Sequence, residues 1–332
     1  MKILVTGGTG FIGSHTSIEL VNDGHNVVIV DNLCNSNIDT LDRIRKITGI
    51  KVKFYDVDLT NYKDLESVFI ENKFDAVIHL AGVKAVNESV QRPLKYFMNN
   101  LNGTVNLLTI MEKYSVKRLV FSSSATVYGK MNDLPLKEDS TLDVTNPYGR
   151  TKLMIEEMLE DIFNSSPNWG IASLRYFNPI GAHSSGLNGE IPRGIPNNIM
   201  PYITQVAVGK LDMLSVYGND YPTHDGSGIR DYIHVEDLAK GHILALEKVL
   251  KNNLYEVYNL GTGKGYSVFE LISMFEKTTG IEIPYKIVDR RDGDVAACYA
   301  DSTKAFKDLG WKAEKNLRDM CIDAWKWQNN IG

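Results

Sequence analysis

Lys2-Ile3-Leu4-Val5-Thr6-Gly7-Gly8-Thr9-Gly10-Phe11-Ile12-Gly13 stands at the head of the chain. A short apolar run enters a turn crowded with glycine, and beyond it Ile12, Thr16, Leu20 and Val21 recur at helical spacing. The order is strand, glycine turn, helix, and the chain is back in a strand over 26–30 that ends in Asp31. Gly7, Gly10 and Gly13 let other backbone approach closely, and the helix start presents unpaired N–H groups at the positive end of its dipole. That combination suits a pyrophosphate, and an acid about twenty residues further on suits the ribose of an adenine dinucleotide. Asp31 would accept from the ribose hydroxyls and repel a 2′-phosphate, which favours NAD over NADP. The competing reading is a tight turn in an α/β protein that binds nothing.

Outward from this unit the alternation continues. A strand is expected over 51–55, a helix from Asn61, and a continuous apolar strand over 75–80, as fits a strand covered on both faces. It ends at Ala81-Gly82, small enough for a cofactor to lie close. The stretch 93–114 reads as one long helix, 117–122 as the next strand, and 171–176 as a sixth. Such alternation implies an α/β protein with a doubly wound parallel (Rossmann) sheet and right-handed crossovers. Ligands then sit beyond the carboxyl ends of the strands, an edge that gathers the glycine turn, Ala81, Ser122, Ser123, Ser124, Phe177 and Asn178. After Asn178-Pro179 the composition changes, and 181–196 is rich in Gly, Pro, Ser and Asn. The expected organisation is an NAD-binding domain over 1–177 and a smaller mixed α/β substrate-binding domain over 178–332. Part of 231–261 is expected to return to the first domain. Within the second part, helices are expected near 197–208, 235–250 and 267–279, with strands over 256–260 and 282–288.

Composition narrows the functional class. The 332 residues suffice for one large or two moderate domains, and a net charge of −5 gives no reason to expect a nucleic-acid partner. No apolar run approaches the ~20 residues of a membrane span, and no basic region precedes an apolar stretch as in a signal peptide. Cys34, Cys298 and Cys321 are few, odd in number and far apart, which points to a reducing, cytoplasmic setting. The histidines lack metal-ligand spacing, so no metal is expected.

The chemistry centres on Asn146-Pro147-Tyr148-Gly149-Arg150-Thr151-Lys152. Pro147 suits the first turn of a helix. Tyr148 and Lys152, four residues apart, then project from one face, one turn apart. An ammonium beside a phenol favours phenolate, so the tyrosine is expected to fall below its ordinary value of about 10. With Ser124 at the same edge, a substrate hydroxyl could be held by serine and deprotonated by tyrosine while its carbon loses hydride to a nicotinamide. Helices carry Tyr and Lys pairs by chance and serines often cap elements. The trio gains its meaning from the glycine fingerprint upstream.

Further stretches extend the pattern: Asp31-Asn32-Leu33, His79-Leu80-Ala81-Gly82-Val83-Lys84-Ala85-Val86, Ser122-Ser123-Ser124-Ala125-Thr126-Val127-Tyr128-Gly129, Arg175-Tyr176-Phe177-Asn178-Pro179-Ile180-Gly181 and Gly228-Ile229-Arg230-Asp231-Tyr232-Ile233-His234-Val235. On these, over its whole length, the chain resembles the extended short-chain dehydrogenase/reductase family. The resemblance implies that Ser124, Tyr148 and Lys152 are catalytic. It implies NAD contacts from Phe11, Ile12, Asp31, Asn32, Leu33, Cys34, Asn35, Ser36, Asp58, Leu59, Leu80, Ala81, Gly82, Lys84, Asn99 and Phe177. A UDP-sugar would meet Lys84, Asn178, Asn198, Ile199, Val216, Tyr217, Arg230, Tyr232, Arg291, Asp294 and Cys298. Two arginines suit a pyrophosphate, Tyr217 could lie flat on uracil, and Asp294 could accept from ribose. Surface pairing of Arg230 and Arg291 with Asp231 or Asp292 is the alternative.

The implied reaction inverts C4 of UDP-glucose or UDP-galactose through a 4-keto sugar, with NAD retained and a homodimer formed by the helices near 93–114 and 148–163. Sugar-nucleotide 4,6-dehydratases of the family carry an Asp-Glu pair where this chain has Ala125 and Thr126. Decarboxylation or epimerisation of UDP-glucuronate, and a non-catalytic NAD-binding regulator, remain as alternatives. Cys298 falls where many relatives carry Tyr, and the smaller side chain implies room for UDP-GlcNAc and UDP-GalNAc.

Overall fold

The computed structural model describes every residue except 131, 193, 195, 197, 292, 293 and 332. In chain order the strands are β1 (Lys2–Thr6), β2 (Asn26–Asp31), β3 (Lys53–Asp56), β4 (Ala76–His79), β5 (Arg118–Ser122), β6 (Gly170–Tyr176), β7 (Asn178–Ile180), β8 (Leu214–Tyr217), β9 (Ile229–His234), β10 (Leu254–Leu260), β11 (Gly265–Ser267), β12 (Tyr285–Val288) and β13 (Ala297–Cys298). The large sheet runs β10-β6-β5-β4-β1-β2-β3, with every neighbouring pair parallel. From β1 the chain winds outward to β3, then returns to β4 on the other side of β1. The order reverses between β1 and β4, so the crevice opens there.

Both faces of this sheet are covered. Ile3 and Val5 of β1 join one core with Ile18, Leu246 and Val249, while Leu4 joins another with Leu65, Leu107 and Ile155. The alternation follows from the period of two along a strand. Helix Val235–Lys251 packs against helix Phe11–Asn22, and β10 pairs with β6 along its length, so this stretch belongs to the large sheet. The smaller part combines β8 paired with β12 and a sheet in which β9 holds β7, β11 and β13. Helices Ile199–Ala207, Val268–Thr279 and Leu317–Ile331 enclose its core around Ile203, Phe275 and Met320.

Several elements depart from expectation. The stretch 93–114 is three pieces: Pro93–Tyr96, a π-helical turn over Phe97–Asn102, and Gly103–Lys113. Asn99, Asn100, Asn102 and Gly103 are weak helix formers, and Asn100 spends its side chain on tertiary bonds, so the regular ladder yields. Helix Thr40–Thr48 fills the connection after β2, burying Ile44. The helix expected near 197–208 spans Ile199–Ala207; Asn197 lies outside the described residues. The strand expected over 282–288 is confined to Tyr285–Val288. The C-terminal helices Thr303–Leu309 and Leu317–Ile331 complete the fold. Among the described residues no helix is long and apolar enough to cross a membrane.

Candidate active site

A cleft of about 590 Å³ runs along the carboxyl edge of β1, β2 and β4. Gly7 (φ +71°) lies so close to the next strand that a Cβ there would stand 2.7 Å from the Ala81 nitrogen. A Cβ on Gly13 would stand 2.2 Å from the Gly7 carbonyl oxygen. Only glycine permits this packing of turn, helix and strand. Gly10 occupies the N-cap of helix Phe11–Asn22 with no side-chain cap and no acid in the first turn, which leaves its first N–H groups for an anion. Asp31 accepts from the Thr9 and Leu33 amides (3.1 and 2.9 Å) and from the Ser36 hydroxyl (3.0 Å), which draws 31–36 into a cup. Partial burial works against the Asp58 charge, but hydrogen bonds from Thr60 and Asn32 prevail and hold its carboxyl below the usual range. These groups fit a dinucleotide: uncapped backbone for the pyrophosphate and an acid at the end of β2 for a ribose. Gly7, Gly10, Phe11, Ile12, Gly13, Asp31, Asn32, Cys34, Asn35, Ser36, Asp58, Leu59, Leu80, Ala81, Gly82, Lys84 and Asn99 all line the cleft. Leu33 turns the cup through a left-handed backbone (φ 55°).

Tyr148 and Lys152 line the same cleft. Asn146 caps helix Pro147–Ser165 by accepting from the Gly149 amide (2.9 Å), which fixes where Tyr148 emerges. Ser124 caps the 3₁₀ turn Ala125–Val127 beyond β5 and accepts from the Thr126 hydroxyl (3.0 Å). The expected downward shift of the tyrosine by lysine is not what the structure gives. Burial raises the Tyr148 phenol, and the Ser124 hydroxyl offsets this only in part. Lys152 does not reach the phenol: its Nζ donates to the Ser122 carbonyl (2.5 Å) and lies 6.0 Å from the Tyr148 ring centroid. Burial also lowers the Lys152 ammonium to about 7, against the opposing pull of Glu156. Desolvation outweighs the charge pair.

Behind the trio sit polar residues that sequence reading passed over. Asn100, presented by the π-helical turn, accepts from the Val83 amide (2.9 Å) and donates to the Val83 carbonyl (3.1 Å) and Thr151 Oγ1 (3.0 Å). It thereby ties the loop after β4 to the tyrosine helix; the adjacent Asn99-Asn100 inside a helical pattern was the available signal. Glu156 and Arg175 form a buried bidentate pair (Nη2 to Oε2 2.6 Å), and the Ser123 hydroxyl also donates to Glu156. His79 bridges Thr6 (2.7 Å) and Thr104 (2.9 Å), and burial, aided by the Lys152 charge, lowers it to about 3, so it stays neutral.

The remaining predicted residues gather around β7, β8 and β9, apart from Asn198, which lines the cleft. Asn178 opens β7 in register with Tyr232 of β9, and Phe177 is buried beside Tyr128 and Cys298. Val216 and Tyr232 are core residues, Ile199 packs on that core, and burial raises the Tyr232 phenol to about 12. Arg230 donates to Asp294 (2.7 Å), not to Asp231, whose carboxylate accepts from Thr262, Gly263 and Ala300. Asp292 lies outside the described residues. The Arg291 guanidinium stacks 3.8 Å from the Tyr217 ring centroid, occupying one face of the ring pictured for uracil. Cys298 pairs with Arg230 across β13 and β9, and burial pushes its thiol up to about 11. His234, Glu236 and Asp323 converge with the donor set of a cation site, but Lys315 Nζ stands 2.7 Å from Glu236 and 2.8 Å from Asp323 and supplies the positive charge.

The parallel sheet with its glycine cradle, and a Ser-Tyr-Lys cluster on the same edge, define an extended short-chain dehydrogenase/reductase. Residues 4–324 match the family model described as GDP-mannose 4,6 dehydratase. The chain is 58% identical over 330 residues to the UDP-glucose 4-epimerase of Bacillus subtilis, covering 99% of this chain and 97% of that protein. It is 54% identical over 331 residues to the UDP-glucose 4-epimerase of Haemophilus influenzae, covering 99% and 98%. The crystal structure of UDP-glucose 4-epimerase from Bifidobacterium longum in complex with NAD+ and UDP superposes with a TM-score of 0.97 at 53% identity, covering 99% and 98%. The chain belongs to the UDP-glucose 4-epimerase family.

Proposed function

We propose that this protein inverts C4 of UDP-hexoses, with Tyr148 as the group that takes and returns the proton of the 4-hydroxyl. The observation that carries the reading is that Tyr148 and Lys152 line the same cleft as the dinucleotide cradle, with Ser124 acting on the phenol. The 7–13 turn, the 31–36 cup and residues 80–84 would hold NAD+, which would supply reversible hydride exchange at C4 and a positive charge that favours the Tyr148 phenolate. Ser124 holds the 4-hydroxyl by hydrogen bond. Lys152, fixed on the Ser122 carbonyl, lines the same cleft one helical turn from Tyr148. Asn178, Asn198, Arg230, Arg291 and Asp294 hold the UDP portion, so the sugar alone is free to turn. Water elimination of the dehydratase type lacks its acid pair, since Ala125 is apolar and the Thr126 hydroxyl is committed to Ser124. The test is a product assay on UDP-glucose, UDP-galactose, UDP-GlcNAc and UDP-GalNAc with the purified protein and no added NAD. Interconversion within each pair is expected; oxidation without inversion, or no turnover with NAD bound, would reject the reading.

Three finer readings accompany it. Residues 1–177 with the returning stretch form the NAD-binding domain, and 178–332 otherwise form the UDP-sugar-binding domain. The thiol of Cys298 leaves room beside the sugar, so N-acetylated UDP-hexoses are substrates; Cys298→Tyr should suppress their turnover and spare UDP-galactose, and equal rates before and after would end the idea. Leu94, Met98 and Met154, on the stretches proposed to pair, are 76, 62 and 40% exposed, and such apolar side chains open to solvent suit a homodimer, which light scattering would reveal. The well-separated free cysteines suit the reducing cytoplasm.

A further inference from the structure

Residues 182–190 form an anchored arm. Ala182 bridges to Gly189, and Asn188 Nδ2 donates to Ser14 Oγ (2.9 Å) of the first glycine-capped helix. From the C-terminal helix, Lys326 donates to the Ser184 carbonyl (2.7 Å), Asn330 to that of Gly186 (2.7 Å) and Trp327 Nε1 to that of Glu190 (3.1 Å). A Cβ on Gly189 would stand 2.4 Å from the Trp327 ring, so the arm fits its seat only without a side chain there. This scaffolding delivers the Glu190 carboxylate into the cleft wall.

One oxygen of Glu190 takes two donors. Oε1 accepts from Asn198 Nδ2 at 2.6 Å and pairs with Lys84 Nζ at 3.4 Å, while Oε2 has no hydrogen-bond partner among the described residues. Asn is a preferred N-cap residue, yet Asn198 makes no side-chain cap to helix Ile199–Ala207; its amide is committed to Glu190. An ammonium and an amide beside an uncapped helix start are the donors a diphosphate seeks. The carboxylate engages both.

We propose that Glu190 sets the grip on the nucleotide sugar's diphosphate, as a built-in carboxylate that competes for Lys84 and Asn198, yields them to the substrate and reclaims them as product leaves. The inference rests on the functional reading above and adds a residue that acts through two others. Glu190 is a positioning residue whose removal strengthens binding, an outcome that structural damage does not produce.

The test is calorimetric titration of UDP, and of uridine as a control lacking phosphate, into the NAD-containing protein. Glu190→Gln should bind UDP about fivefold tighter, the scale of one partly exposed ion pair, with uridine unchanged. Glu190→Ala, which frees both donors outright, should gain at least as much. In a Lys84→Met background the gain should shrink, because the competed donor is gone. In turnover, KM and kcat should fall together in Glu190→Gln as product is held longer. Unchanged or weaker UDP binding by both Glu190 variants, with wild-type binding intact, overturns the inference alone; weaker binding would make Glu190 a direct acceptor for the substrate's hydroxyls. Failure of the wild-type protein to bind UDP overturns the functional reading and this inference with it.

Discussion

On one side of the cleft, along the ends of β1, β2 and β4, the groups are set by local backbone held by the sheet: the 7–13 turn, Asp31 fixed by the Thr9 and Leu33 amides, and the loop at Ala81. On the other side they are side chains brought together from distant segments. Lys84 and Glu190 are 106 residues apart in the chain, and Arg230 and Asp294 are 64 apart. Backbone geometry in a parallel sheet is stiff and uniform, which suits a dinucleotide that stays. Side chains rotate and exchange partners, which suits a sugar nucleotide that comes and goes. The contrast teaches that one cleft can present a stiff wall to one ligand and an adjustable wall to another.

The contrast can be broken most sharply at the phenol between the two walls. Tyr148→Phe should reduce turnover by about 10²–10⁴-fold, the range for a general acid–base group, while NAD content and UDP affinity stay near wild type. A parallel loss of either affinity would mean the walls are not independent of the reacting group. On the stiff side, Arg175→Leu leaves the Glu156 carboxylate buried without its partner and should cost about 3–5 kcal/mol in urea unfolding. A loss below about 1 kcal/mol would show that this edge does not depend on its buried charges. On the provisional side, Gly189→Ala drives a methyl into Trp327 and should cost about 1–3 kcal/mol, raise KM for the UDP-sugar and leave NAD content unchanged. NAD loss in that variant would erase the distinction.

The last test is a pH dependence. Lys152 titrates near 7 when folded, below its free value of 10.5, so between those values the unfolded chain binds more protons and stability rises with pH. Lys152→Met should therefore exceed the wild type in stability most below about pH 7, and the gap should close toward pH 10. A gap that widens with pH would reverse the assigned direction.

The same contrast explains what could be read from residues alone. The glycine turn, Asp31 and the Tyr148–Lys152 spacing are local patterns with one backbone solution, and the sheet around them follows from alternation of strand and helix. The π-helical turn is less visible, since its cause is the tertiary bonding of Asn100 to Val83 and Thr151. The direction of the Tyr148 shift escaped the spacing argument because burial and the turning of Lys152 toward Ser122 depend on the packed interior. Glu190 escaped for a further reason: it sits in a Gly- and Pro-rich stretch with no periodicity, and one of its two partners, Lys84, is 106 residues away along the chain.

The seventh strand has a consequence for how the molecule is made. β10 closes the edge of the sheet beside β6 although β7, β8 and β9 of the other half, and helix Val235–Lys251, come between them in the chain. A ribosome that has emitted only the first six strands has produced an unfinished edge with β6 bare on one side, together with an uncovered patch where helix Val235–Lys251 belongs. Such a nascent chain offers a parallel strand template to its neighbours. The large sheet therefore cannot be completed until β10, ending at Leu260, has been made, and products truncated before it should be recognised as misfolded and not accumulate as a working half.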